Sequence, residues 1–425
     1  MTSTSRQGAE PILLAFSGGL DTSFCVPWLK DTYHRPVITV TVDTGGIDEA
    51  AARSLAERSA QLGAVEHHLI DARSAYFEQV LKYLLMGNVR RGGVYPLCVG
   101  AERVLQAQTI AQMALSLNTQ MVAHGCTAAG NDQVRFEVAL RTLAPELEII
   151  APVRDRAFKR PEQLKYLEDH RLPIPPFGAA YSVNRGLWGV TIGGKETLTS
   201  GGSIPDEAWV LSRDAFTNPR AAQRHTIGFK QGVPVSLDGA PLSAVAIIER
   251  LEALAGPFGI GRGIHLGDTV IGTKGRVAFE APAADVLLTA HRELEKLVLT
   301  GKQARIKDTV AQPYGDLVHE GQHLDPVCRD IEALLLSSQA RVSGEVRVLF
   351  RPGCVFVEGV TSPYSLMAAS KGVYGESAGE WTPTDALGYS KMLALTGVFY
   401  KRAGANVPAA AHEPSAREAA GADES

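Results

Sequence analysis

Cysteine, charge of one sign and long apolar runs are all scarce in this sequence. The five cysteines, Cys25, Cys98, Cys126, Cys328 and Cys354, are spread over 425 residues in an odd count with no Cys-x-x-Cys pair. That pattern excludes a disulfide framework or a zinc knuckle and points to free thiols in a reducing cytosol. The eleven histidines form no metal-ligand spacing either; His67 and His68 are adjacent in a strand and so point to opposite faces. No protein-held metal site is expected. Lys and Arg total 42 against 46 Asp and Glu, a net charge of −4. A weakly acidic chain is not a general nucleic-acid binder. The opening MTSTSRQGAE lacks the charged-then-apolar order of a secretory signal, and no apolar run is long enough to span a bilayer. The expectation is a cytoplasmic protein with neither nucleic acid nor membrane as partner.

What is present is alternation. Ile12 to Phe16 is a compact apolar run, Leu20 to Leu29 has helical spacing, and Val37 to Val42 is β-branched. Val65 to Ile70, Thr119 to Ala123 and Glu148 to Ile150 read as further buried strands with helices between them. Such alternation implies right-handed crossovers and a parallel sheet covered on both faces. Residues 11 to 170 are therefore expected to form a doubly wound α/β nucleotide-binding domain, after a disordered start over 1 to 10. The Pro-rich stretch Arg171 to Gly178 reads as a linker. Beyond it, residues 171 to 380 read as a second, mixed α+β domain. Strands are expected at Ala208 to Leu211, Val233 to Leu237, Thr269 to Ile271, Val277 to Glu280 and Glu345 to Phe350, with helices near 285 to 300 and 327 to 338. A last helix, within 381 to 402, carries exposed-looking Leu387, Met392 and Leu395, and residues 403 to 425 read as a disordered tail.

Phe16-Ser17-Gly18-Gly19-Leu20-Asp21-Thr22-Ser23 joins the first strand to the first helix. Its glycines let backbone N–H groups approach an anion, Ser17, Thr22 and Ser23 add hydroxyls, and the helix start adds a favourable dipole. It is not a Walker A loop, because no Gly-Lys-Ser/Thr follows. The run resembles the pyrophosphate loop of the N-type ATP pyrophosphatases. Asp21 then has a metal-related or loop-organising role, and Asp43 lies where such folds contact adenosine. A second cluster, His124 to Leu140, also follows a strand. Thr127 and Asn131 offer donors to a carboxylate, Asp132 an anion to an amine, and Arg135 a planar fork, a set that suits an amino acid. The other reading is a plain helix start with Asn131 as its cap.

With those two clusters, the APVRD segment near 151, YSVNRGLWG near 181, GIGRG near 259 and AHRELE near 290 resemble the argininosuccinate synthase family in order. The resemblance covers residues 11 to 402. It implies an ATP- and Mg2+-dependent ligase that joins citrulline to aspartate through a citrullyl-adenylate. It implies ATP contacts at Ala15, Phe16, Ser17, Gly18, Gly19, Leu20, Asp21, Thr22, Ser23, Val42 and Gly125. Aspartate would meet Thr127, Asn131 and Asp132; citrulline would meet Tyr95, Asn131, Arg135, Ser182 and Thr191. Asp21, Asp132 and Arg135 are the candidate catalytic groups, and Arg103 is a further family-like position. A homotetramer joined by the C-terminal helix is also implied.

Departures from the family pattern gather on the citrulline side. Gly100 stands where the family has Ser, Thr191 for a second Ser, Gly267 for Glu and Phe279 for Tyr; Gly186 ends a segment where the family has Asn. Three readings stay open. Asp268 replaces the missing carboxylate and citrulline is still bound; or the acceptor is a ureido compound without a free α-amine; or the chain is a non-catalytic nucleotide-binding paralogue.

Overall fold

The computed structural model describes residues 10–175 and 181–405. The ends expected to be disordered lie almost wholly outside the described residues, as do Pro176, Phe177 and Gly178 of the expected linker. Two compact units are distinguished, one through Tyr364 and one from Ser365.

The first unit begins with the expected α/β layer. Strands β1 (Ile12–Ala15), β2 (Val37–Asp43), β3 (Glu66–Asp71), β4 (Met121–His124) and β5 (Glu148–Ile150) form one sheet in the order β3-β2-β1-β4-β5. Every pairing in it is parallel. Leu13 packs into one core cluster while Ile12 and Leu14 pack into another, the two-residue period of a strand covered on both sides. Helices α1 (Leu20–Tyr33), α2 (Glu49–Gln61), α3 (Arg103–Ser116) and α4 (Asp132–Leu143) lie in the crossovers. Ala15 stands opposite both Val40 and His124, so the carboxyl ends of β1, β2 and β4 reach one edge together. The strand order reverses at β1, and a crevice opens there in folds of this kind.

Beyond the linker, β6 (Ser182–Gly186), β7 (Gly189–Gly193), β8 (Gln223–Lys230), β9 (Val233–Leu237), β10 (Ala240–Pro241), β11 (Arg262–Asp268), β12 (Lys274–Glu280), β13 (Gly344–Arg351) and β14 (Cys354–Thr361) make two sheets. One runs β11-β12-β7-β6, the other β10-β9-β8-β13-β14, and all pairings are antiparallel. Helix α5 (Pro282–Val298) packs on β13 and β14, and α6 (Gly301–Glu320) packs on a further helix that spans Pro326–Ser338.

Two expected strands are corrected. Val210 and Leu211 donate their N–H groups to the Glu280 carboxylate at 2.6 and 3.0 Å, so a buried side chain takes the place of a neighbouring strand. Thr269 to Ile271 is the turn between β11 and β12, where Thr269 N–H donates to the Thr273 carbonyl at 2.8 Å.

The β6–β7 hairpin fixes the second half of this unit against the nucleotide layer. Leu187 N–H donates to the Thr44 carbonyl at 2.9 Å, and the buried Trp188 indole donates to the Pro96 carbonyl at 3.0 Å. The approach needs glycine at 45: its φ is +110°, and a Cβ there would lie 2.4 Å from Leu187 N. In the second unit, α7 (Pro383–Ala405) has no buried residue, and Leu387, Met392 and Leu395 are exposed.

Candidate active site

A cavity of about 550 Å³ opens at the carboxyl ends of β1, β2 and β4. Ala15, Phe16, Ser17, Gly19, Asp21, Thr22, Val42 and Gly125 of the expected ATP set are in its wall. Gly18, Leu20 and Ser23 are not. Gly18 turns the loop at φ +72°, and its carbonyl accepts from Arg58 at 2.6 Å. Ser23 is buried under the loop, its hydroxyl 3.5 Å from the Gly18 carbonyl, and Leu20 packs on the core. The Thr22 hydroxyl ties the loop together, lying 3.1 Å from the Ser17 hydroxyl and 3.3 Å from the Gly19 carbonyl. No side chain caps α1, so its first N–H groups are left for an anion. Asp43 accepts from Gly45 N–H at 2.8 Å and stays behind the wall; burial raises its carboxyl, offset in part by that bond and by Arg73.

A second cavity of about 520 Å³ adjoins the first. Tyr95, Thr127, Asn131, Asp132, Arg135, Ser182 and Thr191, the whole expected amino-acid set, line it. Asp21, Arg103, Gly125, Cys126, Asp132 and Asn184 belong to both walls. A chain of charges runs through this partition. Arg103 donates to Glu102 at 2.9 Å and to Asp132 at 3.0 Å, and Arg135 donates to the other Asp132 oxygen at 2.8 Å. Burial pushes the Asp132 carboxyl up, but Arg103 and Arg135 outweigh it and hold it below its ordinary value. Asn131 stands at the N-cap position of α4, but its side chain makes no capping bond; it accepts instead from Val270 N–H at 3.0 Å, which fastens the β11–β12 turn over the cavity. Asp21 accepts from Gln163 at 2.9 Å. Among the described residues no group of three or more potential metal ligands comes together.

Comparison with known proteins decides what these clusters belong to. The model of the arginosuccinate synthase N-terminal HUP domain matches residues 11–173, and that of the arginosuccinate synthase C-terminal domain matches 181–400. The chain belongs to the argininosuccinate synthase family. It is 40% identical over 403 residues to the argininosuccinate synthase of Xanthomonas axonopodis pv. citri, covering 93% of this chain and 96% of the relative. It is 39% identical to that of Pyrobaculum aerophilum, covering 91% and 97%, and 38% identical to that of Methanocaldococcus jannaschii, covering 83% and 89%. An NH3-dependent NAD synthetase from Campylobacter jejuni aligns with 39% of this chain and 66% of its own at 14% identity, with a TM-score of 0.28, and supports no argument. Relatives all named as the synthase do not favour a blocked-amine acceptor or a non-catalytic paralogue.

Within this argininosuccinate synthase framework the departures form one connected patch. Gly100 leaves room for Arg135: a Cβ at 100 would lie 3.0 Å from a guanidinium nitrogen. Gly267 leaves room for His265, whose Nε2 would be 2.5 Å from a Cβ there. His265 stacks on Tyr95 with centroids 5.4 Å apart. Phe279 lies behind Tyr95, 5.1 Å from its ring, and is in neither cavity's wall. Asp268 does not take over the missing carboxylate's place. It pairs with Lys274 at 2.5 Å with a side chain 63% exposed, and Lys274 lowers its carboxyl. Successive strand residues face opposite ways, so an acid at 268 cannot stand in for one at 267.

Several wall residues went unseen in the sequence. Arg58 and Gln106 lie mid-helix with no motif around them. Glu102 was masked by its neighbour Arg103. It is 2% exposed, accepts from the Thr44 hydroxyl at 2.7 Å, and occupies the space beside Gly186, where a Cβ would lie next to its carboxylate. Burial lifts it to about 7 despite Arg103 and Thr44. Arg91, His265, Arg276 and His319 also line the second cavity, from four separate segments. His124 accepts from Cys126 N–H at Nδ1, 3.3 Å, so the neutral ring carries its proton on Nε2. That Nε2 has no partner, and burial drops the ring to about 4.

Proposed function

We propose that this chain ligates citrulline to aspartate at the expense of ATP, releasing AMP and pyrophosphate. The ureido oxygen of citrulline attacks the α-phosphorus, pyrophosphate leaves, and the aspartate amine then displaces AMP from the adenylate. The observation that carries this reading is the shared partition. The nucleotide cavity and the amino-acid cavity meet at Asp21, Arg103, Gly125, Cys126, Asp132 and Asn184, where an acceptor oxygen and an α-phosphate can be brought in line.

ATP would lie along Ala15 to Ser23, Val42 and Gly125, with its phosphates on the uncapped start of α1. Arg103, placed at the partition and hydrogen-bonded to Glu102 and Asp132, would stabilise negative charge that develops there. Aspartate would meet Thr127, Asn131 and Asp132, and citrulline Tyr95, Asn131, Arg135, Ser182 and Thr191. Asp132 and Arg135 would act by orientation, because each already holds the other. Magnesium is assigned to the nucleotide rather than to a protein cage. Mg2+ is commonly held by one or two carboxylates plus substrate phosphates, and Asp21 is the carboxylate nearest the loop in sequence and in both walls. When bound, the ion neutralises the leaving pyrophosphate.

Residues 11–170 would form the nucleotide-binding domain and 171–380 the synthetase domain, with 381–402 joining copies into a homotetramer in the cytoplasm. Pyrophosphate release that needs both citrulline and aspartate tests the reaction. D132N should lower kcat/KM by about 10- to 100-fold, since a charge-assisted hydrogen bond contributes about 1.5–3 kcal/mol. An unchanged value would remove Asp132 from the site.

A further inference from the structure

One wall of the nucleotide cavity holds a cation with no assigned role. Helix α2 starts at Asp48, whose carboxylate accepts from Ala51 N–H at 2.8 Å. Ala51, Ser54, Leu55 and Arg58 then recur at helical spacing along the face that lines the cavity. Leu55 packs against the core, and the half-buried Arg58 reaches the glycine loop, donating to the Gly18 carbonyl at 2.6 Å. That bond uses one of five guanidinium N–H groups. The other two arginines of this wall are already matched by carboxylates. Arg103 is held between Glu102 and Asp132, and Arg185 pairs with Glu252 at 2.5 Å. Arg58 meets a neutral carbonyl and, among the described residues, pairs with no carboxylate.

The place of that charge says which part of ATP would use it. The loop that Arg58 touches offers neutral donors, the N–H groups at the uncapped start of α1 and the hydroxyls of Ser17 and Thr22. Its one acidic residue, Asp21, adds negative charge. When the ureido oxygen attacks, the bond from the α-phosphorus to the bridging oxygen breaks, and its electron pair goes to the departing pyrophosphate. Negative charge therefore grows on the loop side of the cavity. A fixed, unneutralised guanidinium beside that loop stabilises it, and a planar fork of donors suits a phosphate. AMP lacks the β- and γ-phosphates and would not feel the group directly. We propose that Arg58 is a further catalytic residue, donating to the β- or γ-phosphate of ATP and holding the pyrophosphate as it leaves. This rests on the reading that ATP is cleaved at its α-phosphorus.

The test is calorimetric binding of ATP, pyrophosphate and AMP to wild type, Arg58→Gln and Arg58→Lys, with kcat from pyrophosphate release. The Gln variant keeps a donor for the Gly18 carbonyl without the charge, and the Lys variant returns the charge. Arg58→Gln should weaken ATP and pyrophosphate about tenfold, lower kcat about tenfold and leave AMP within about twofold. Arg58→Lys should recover most of the loss. Unchanged affinities, or equal weakening of ATP, pyrophosphate and AMP, would assign Arg58 only the role of holding the loop and overturn the proposal. Weakened ATP with unchanged kcat would make it a ground-state contact and overturn the catalytic role. Wild-type protein that forms ADP and phosphate in place of AMP and pyrophosphate would instead bring down the functional reading, and this inference with it.

Discussion

At Glu102 a carboxylate is enclosed between Thr44, Arg103 and the backbone of Gly186, and its proton is lost late. Its carboxyl rises from 4.5 to about 7, burial being the largest cause. In the unfolded chain the group ionises first. Its contribution to stability is therefore complete below about pH 4.5 and is lost as pH climbs through about 7. Urea midpoints at pH 5 and pH 8 should fall further for wild type than for E102Q; equal falls would mean that Glu102 is ionised throughout. Gly267 makes a second residue-scale case. Restoring the family's glutamate there must displace His265 from Tyr95, because a Cβ at 267 would lie 2.5 Å from Nε2. G267E alone should raise KM for citrulline about tenfold through overpacking, and H265A should recover most of it. If G267E by itself improves citrulline binding, His265 does not fill that space. The sequence could place these differences but not relate them. Gly100 reads as a loss until Arg135 is seen lying against it, and Phe279 reads as a substrate contact until it is seen behind Tyr95.

Among the elements, the ones legible in sequence are those whose pattern is local. β1, the glycine loop and α1 declare themselves through an apolar run, two glycines and a helical spacing, and β2 through its β-branched residues. Elements made by distant partners were hidden. The β6–β7 hairpin depends on the loop after β2, which takes it at Gly45. Residues Ala208 to Leu211 carry strand-like side chains, yet Glu280, some seventy residues on, captures their N–H groups. The helix α6 is disguised by Pro313 within it, although its start has a complete capping box between Thr300 and Gln303. Gly45 is the sharpest test at this scale. G45A brings a side chain onto the backbone of Leu187 at φ +110°, and should cost about 1–3 kcal/mol in urea unfolding while raising KM for ATP. Loss of stability with no change in ATP binding would separate the hairpin from the nucleotide site.

Over the whole molecule, the acceptor site is assembled from parts that share no motif: Tyr95, Gly100, Arg135, Ser182, His265 and His319. These positions, spread across more than two hundred residues, meet only once the antiparallel sheets are closed over the parallel one; Tyr95, Arg135 and Ser182 are legible through the family resemblance, whereas His265 and His319 carry no local signal. No described helix is long and apolar enough to cross a membrane. The unburied α7 bears on assembly. Removing residues 381–425 should convert the proposed tetramer to a smaller species in sedimentation, and an unchanged mass would place the contacts elsewhere. The central claim, that one acceptor oxygen crosses the shared partition to the α-phosphate, is tested most directly with citrulline labelled with oxygen-18 at the ureido oxygen. With ATP and aspartate the label should be recovered in AMP, with one pyrophosphate formed per ligation. Label in inorganic phosphate, or formation of ADP in place of AMP and pyrophosphate, would contradict the account.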